Sequence, residues 1–367
     1  MDCTKQNQTG FDACTALTYW FAHFAVEVLC FYAMNTVFDL SDFRRWIAAL
    51  LFDTIAFVPQ AGFGMFFEQH KRLKPGVIGG AILIAGAAVI LLGKGGLVYV
   101  GVAILTCGNA IIHISGALAT SRVSEGRLSE SAIFVGGGSF GVITGTLLAS
   151  AKEFWALAFI PIILAIPLMY FVDRRIRDRY REEAFDFVKR PLAHNIITNK
   201  NRVVIIITLT LIVAARSFIG YGLPTGWVKL SRHTVLLFVF MGFGKMLGGI
   251  LSDLFGAKNV GIVSCLLAVP ILLVSNQIMW LSLIGIALFS MTMAITLGGL
   301  YSVLRYSPGF AFGLTTIGLF IGLLPTFFME MPEQFICNIL NIVLSVVASV
   351  GIWYCITNHR SREDVVC

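Results

Sequence analysis

Long unbroken runs of apolar residues, separated by short polar or turn-forming segments, organise the whole chain. At about 20 apolar residues per membrane crossing, the pattern resolves into twelve stretches. They run roughly over 15–38, 44–67, 76–93, 97–119, 130–150 and 154–172, and again over 203–222, 234–252, 260–276, 279–302, 309–328 and 334–356. Turn signals such as Pro75-Gly76, Gly93 to Gly96 and Pro308-Gly309 separate them. A run such as Val203 to Ile212 lacks the period-two alternation of a membrane β-barrel strand, so the pattern predicts helices. The longest polar stretch, Asp173 to Arg202, divides the twelve into an N-terminal six-helix bundle (1–173), a linker (174–202) and a C-terminal six-helix bundle (203–367). The linker is expected to prolong the sixth helix or to lie along the membrane as an amphipathic helix, with no substrate role.

Composition agrees with a polytopic membrane protein. Of the 367 residues, 57% are hydrophobic and 13% charged, and the mean hydropathy is +0.85, an apolar excess that no compact soluble domain hides from water. The first 15 residues are polar, have Lys5 as their one basic residue, and run straight into a full-length apolar stretch, so no cleavable leader is expected. Threading the spans with the N-terminus inside puts 19 Lys and Arg residues on the inner side and 6 on the outer. The expected setting is therefore the plasma (inner) membrane, with both termini and the linker cytoplasmic. The net charge of +7 then reports topology and contact with lipid headgroups, not nucleic acid. The eight cysteines (3, 14, 30, 107, 265, 337, 355, 367) are scattered without a C-x-x-C pair and read as small apolar residues, neither a metal site nor a disulfide framework. The triplet Asn7-Gln8-Thr9 matches a glycosylation acceptor, but on the expected cytoplasmic side it is a chance match.

An internal repeat supports the two halves. After the second span stands Gly64-Met65-Phe66-Phe67-Glu68-Gln69-His70-Lys71-Arg72, and after the eighth Gly249-Ile250-Leu251-Ser252-Asp253-Leu254-Phe255-Gly256-Ala257-Lys258. Each is a Gly, three residues, an acid and then bases, and the glycines lie 185 positions apart. The pair resembles the loop signature G-x-x-x-D-R-x-G-R-K of the major facilitator superfamily, with Glu for Asp and no inner Gly in the first copy. The resemblance implies twelve helices in two six-helix bundles around a central cavity. The glycine allows close helix approach, and the acid pairs with a base of the loop or a neighbouring helix, Arg72 and Lys258 being nearest in sequence. Together these form a gating latch that breaks as the halves rock.

Further stretches are similar to the fosmidomycin-resistance branch of that superfamily, a group of proton-driven drug exporters. They are His23-Phe24-Ala25-Val26-Glu27 in the first span, Gly108-Asn109-Ala110-Ile111-Ile112-His113 in the fourth, and Ser131 through Gly137 and Gly141 to Gly145 in the fifth. Arg216-Ser217-Phe218, followed by Gly222 and Pro224, is similar to its seventh helix. Val142 stands where antiporters usually have a proline.

Six ionisable side chains fall inside the expected spans: His23, Glu27, Asp53, His113, Arg216 and Lys245. A charge at mid-helix costs about 2.5–3.5 kcal/mol on insertion scales, so these residues must face a cavity or one another. His23 and Glu27 stand four apart on one helix face, a spacing that lets them share a proton or pack as a structural polar pair. Asp53 overlaps Glu27 and Arg216 in depth. Arg216 cannot deprotonate and is expected to pair with Glu27 or Asp53 or to hold an anionic substrate. Asn109 and His113, also four apart, are candidate substrate contacts or helix contacts, and Lys245 is expected to reach the headgroups or the latch.

The reading is a proton-coupled secondary transporter working by alternating access, with proton coupling at Glu27, His23 and Asp53 and substrate contacts at Arg216, His113 and Asn109. Export of a small anionic or amphiphilic compound is expected; uptake by symport, or a receptor or scaffold on the same fold, are the alternatives. No cofactor is expected. H-E-x-x-H and P-loop motifs do not occur in the sequence, so an enzyme is not expected.

Overall fold

The structure is a computed structural model that describes residues 11–38, 43–152, 154–180, 184–198, 201–221, 228, 231–274, 278–330 and 332–358. The Asn7 to Thr9 triplet, Cys3, Cys367, Gly222 and Pro224 lie outside the described residues.

Among the described residues, twelve helices are long and apolar enough to cross a bilayer. They are α1 (Ala13–Val37), α2 (Phe43–Gln69), α3 (Pro75–Leu92), α4 (Leu97–Val123), α5 (Ser129–Ser150) and α6 (Trp155–Tyr180), then α7 (Arg202–Gly220), α8 (Arg232–Phe255), α9 (Ala257–Val274), α10 (Met279–Val303), α11 (Pro308–Phe327) and α12 (Gln334–Cys355). The chain is an integral membrane protein. Two spans are interrupted. In α2, Pro59 lacks the N–H that would continue the ladder, and the helix restarts at Gln60; in α10 the break falls at Met291.

Helix contacts repeat from one half to the other. Within the first half α1 packs on α5 and α6, and α3 on α4 and α6; within the second, α7 packs on α11 and α12, and α9 on α10 and α12. Between the halves, α2 meets α11 and α5 meets α8, which are the same pairing with the halves exchanged. Glycines allow the tightest of these contacts. A side chain at Gly137, Gly141 or Gly145 of α5 would overlap the backbone oxygen of Trp20, Phe24 or Val28 on α1. This explains the glycine-rich fifth span: two helix backbones touch there.

The sixth helix does prolong itself, to Tyr180, past the expected boundary at 173. Asp173 is buried and accepts a hydrogen bond from the Tyr19 hydroxyl at 2.6 Å, which keeps this turn packed on α1. The described linker residues 184–198 contain no helix. They form a strap beneath both halves. Arg122 at the end of α4 donates to the Arg190 carbonyl at 2.7 Å, and Lys71 pairs with Asp186. On the other half, Arg305 donates to the Leu192 carbonyl at 2.6 Å while Leu192 N–H donates to the Arg305 carbonyl at 2.9 Å. Phe185, Phe187 and Leu192 are buried under the bundle, an apolar anchoring that the charge-rich sequence around them hides.

The start of α1 is fixed on the same end. Asp12 caps the helix by accepting the Thr15 N–H at 2.9 Å, and Arg175 and Arg179 of α6 pair with its carboxylate. Burial pushes the Asp12 carboxyl up, but the Thr15 amide and the Arg175 guanidinium outweigh it and hold the group below its ordinary value of 3.8. A depressed carboxyl stabilises the fold above its unfolded value and ceases to do so as pH falls through the folded one. Asp12→Asn is therefore expected to lower the melting temperature of the purified protein at neutral pH, and the deficit should shrink as pH drops below 3.8. A deficit constant down to pH 3 would contradict this assignment.

Candidate functional site

Four of the five expected coupling and substrate residues of the first half, His23, Glu27, Asn109 and His113, meet in one buried cluster near the middle of α1 and α4. His23 and Glu27 share a face of α1, and His113 and Asn109 share the facing side of α4. The two imidazole Nε2 atoms are 2.8 Å apart. Glu27 Oε1 lies 3.5 Å from Nε2 of His113 and 3.8 Å from Nε2 of His23, and it accepts a hydrogen bond from the Asn109 amide at 3.2 Å. His23, Glu27 and Asn109 are buried, and His113 is nearly so, its side chain 11% exposed.

The hydrogen-bond pattern fixes both rings. Nδ1 of His23 lies 2.9 Å from the Phe134 carbonyl and Nδ1 of His113 2.9 Å from the Asn109 carbonyl. A carbonyl can only accept, so both Nδ1 atoms bear hydrogen and donate. In the neutral rings both Nε2 atoms are then bare acceptors, pointed at each other. Such a contact repels unless a cation lies between them. The α5 glycines make the arrangement possible, since a Cβ at Gly138 would overlap Nε2 of His23 and one at Gly141 would crowd Glu27.

The remaining expected residues stand apart from this cluster. Asp53 makes no hydrogen bond or ion pair with it among the described residues, although it lies within electrostatic reach of Glu27. Arg216 does not form the expected pair with Glu27 or Asp53 among the described residues; its Nε and Nη2 are buried with no partner. Its charge is felt instead by Lys245 of α8 and Cys265 of α9. Lys245 reaches neither headgroups nor latch. It crosses the interface between halves and donates to the Ser139 hydroxyl of α5 at 2.9 Å, within electrostatic reach of Glu27. Sequence reasoning missed this link because a hydroxyl in a glycine-rich helix has no pattern that names its partner.

The repeated motif occupies matching places. Gly64 of α2 lies backbone to backbone against Gly309 of α11, and Gly249 of α8 lies against Leu128 and Ala132 at the start of α5. Each acid then caps a helix of the opposite half. Glu68 Oε1 accepts the Gly309 N–H at 2.6 Å, while Asp253 accepts the Leu128 and Ser129 N–H groups at 2.9 and 3.0 Å, together with the Ser129 hydroxyl. This corrects the expected partners. Glu68 forms no ion pair with Arg72 among the described residues, and Lys258 lies over the Trp353 ring at 5.1 Å. A helix N-terminus offers unpaired N–H groups and a partial positive charge, which answer a carboxylate without a basic side chain. Pro308 at the start of α11 and Ser129 at the start of α5 were the available signals.

The missing inner glycine of the first copy has a structural reason. A single residue, Gly256 at φ +87°, turns the chain from α8 into α9, a conformation that other residues enter only with strain. Between α2 and α3 five residues, 70–74, make the turn, and none of them needs positive φ.

No family model matches the sequence, and no curated protein does. Solved structures do resemble the fold. A major facilitator superfamily fucose transporter in the outward conformation superposes with a TM-score of 0.59 at 14% identity, covering 92% of this chain and 96% of that one. A variant of the E. coli fucose:proton symporter gives 0.62 at 12% identity over 92% and 96%. A bacterial homologue of the iron transporter ferroportin, outward-facing with soaked iron, gives 0.64 at 10% identity over 92% and 97%. The chain thus has the major facilitator fold, twelve helices in two six-helix bundles.

The capping geometry predicts what weakens this contact between the halves. Asp253→Asn removes the charge that answers the α5 N-terminus, a loss of about 1 kcal/mol, from a contact that joins the two halves at the linker end. Spin labels at Arg72 and Asn259, one on each half, should then show a larger population of long distances by pulsed electron resonance. An unchanged distance distribution would refute the latch.

Proposed function

We propose that the chain is a proton-coupled secondary transporter that works by alternating access. It resides in the plasma (inner) membrane with both termini cytoplasmic, in a chain divided as 1–173, 174–202 and 203–367. The observation behind this reading is the His23–His113–Glu27 cluster, whose facing Nε2 atoms need a cation between them. A proton held there, beside a carboxylate that Asn109 orients, is a store that can be filled and emptied as access alternates. His113 and Asn109 thus join His23 and Glu27 on the coupling side of the reading, and Asp53 is the second acid within electrostatic reach.

Arg216 is the substrate residue of this reading. Two unpartnered guanidinium nitrogens suit a carboxylate, phosphate or phosphonate, which takes the planar fork in two places. The resemblance to the fosmidomycin-resistance branch favours export of a small anionic or amphiphilic compound. The sequence has no P-loop, which supports ion-driven over ATP-driven transport.

Two variants test the parts separately. In proteoliposomes given fosmidomycin as phosphonate probe, Glu27→Gln is expected to abolish flux driven by a pH gradient while counterflow, which needs no net proton movement, persists. Wild-type pH-driven flux in the variant would move the coupling site elsewhere. Arg216→Lys keeps the charge and loses the fork, so affinity for the same probe should fall more than tenfold, about 1.4 kcal/mol, with the melting temperature unchanged. Unchanged affinity would remove Arg216 from the substrate site, and the direction of net flux distinguishes export from uptake.

A further inference from the structure

We infer that His23, Glu27 and His113 bind one divalent first-row transition-metal ion, of the zinc, iron(II) or cobalt(II) class, as transported cargo. The inference rests on the transport reading above but not on its proton step. One ligand atom from each residue lies within 4.8 Å of the other two. The orienting hydrogen bonds are those that ligating groups need. Each Nδ1–H is already committed to a backbone carbonyl, which turns the Nε2 lone pair of each ring toward the common point. The Asn109 amide on Glu27 Oε1 holds the carboxylate on the same side. In metal sites this outer layer of hydrogen bonds fixes tautomer and ring orientation.

The donor set selects the ion. Two imidazole nitrogens and one carboxylate oxygen match borderline metals, whereas magnesium and calcium require all-oxygen surroundings. Opening the Nε2 pair from 2.8 Å to the separation set by two metal–nitrogen bonds of about 2.0 Å at a tetrahedral angle, about 3.3 Å, asks for a shift of roughly half an ångström. With three protein ligands the ion keeps an open position for water, the state of a metal that must leave again. Neutral rings and one carboxylate give the trio a single negative charge. Asp53 adds a second within electrostatic reach, and Lys245 opposes it. The place of the trio, near the centres of α1 and α4, is where a transporter of this fold holds what it moves.

The test uses the purified full-length chain, free of any affinity tag, at fixed pH. Cobalt(II) should bind at one equivalent with the visible ligand-field bands of a four-coordinate ion, zinc should displace it, and magnesium and calcium should not. His23→Ala, His113→Ala and Glu27→Gln should each weaken binding at least tenfold, and Lys245→Met should strengthen it by removing the opposing charge. His113→Cys guards against a variant that merely misfolds, since a thiolate at that position should add a sulfur-to-cobalt charge-transfer band that the wild-type protein lacks. Binding that survives His113→Ala, or no ligand-field bands in the native protein, overturns the inference. If cobalt does not bind and pH-driven flux still depends on Glu27, the metal inference fails while the proton reading stands; if cobalt binds and flux ignores the pH gradient, the proton step fails alone.

Discussion

A polar group inside a bilayer has no water to turn to, and the whole molecule is arranged around that fact. Apolar runs supply helices whose backbones satisfy themselves, but the ionisable side chains within them must find partners across helices. In the first half they do so locally: Asn109 and two histidines surround Glu27, and Tyr19 answers Asp173. Such contacts require α1, α4 and α5 to approach closely, and the glycines of α5 meet that requirement. The glycine-rich helix and the buried charges are two sides of one constraint.

The second half is answered differently. Lys245 finds its partner on α5, across the boundary between halves, and Arg216 leaves two nitrogens without one. The halves are also joined at the linker end by carboxylates that cap helices of the opposite bundle. The first half thus holds a self-contained polar cluster, while the cations of the second half depend on contacts that an alternating motion would make and break.

Much of this was legible in the chain. Helix number and placement follow from apolar runs bounded by Pro and Gly, a signal strong enough that span ends shift by only a few residues, apart from α6. The i,i+4 spacing correctly set His23 beside Glu27 and His113 beside Asn109, since helical geometry alone puts such pairs on one face. What could not be read were contacts set by rotation about a helix axis. Arg216 was expected to overlap Glu27 in depth, yet its charge is felt by Lys245 of α8 and Cys265 of α9, and hydropathy says nothing of rotation about a helix axis. The linker was opaque for another reason: its strap is held by backbone hydrogen bonds to residues far along the chain, such as Leu192 with Arg305, which leave no periodic trace. The acids of the repeated motif were found, but their partners were sought among charged side chains when the answering charge was a helix terminus.

The unequal turns after the two motif helices give the molecule a mechanical polarity. With one residue between them, α8 and α9 are welded at the linker end, and torque on either passes to the other. The connection from α2 to α3 is five residues long and is held by the strap through Lys71 and Asp186 rather than by α3 alone, so α2 is coupled to α3 less directly. Two capping contacts alike in chemistry therefore differ in compliance, and a load shared equally between them would be taken up first at α2.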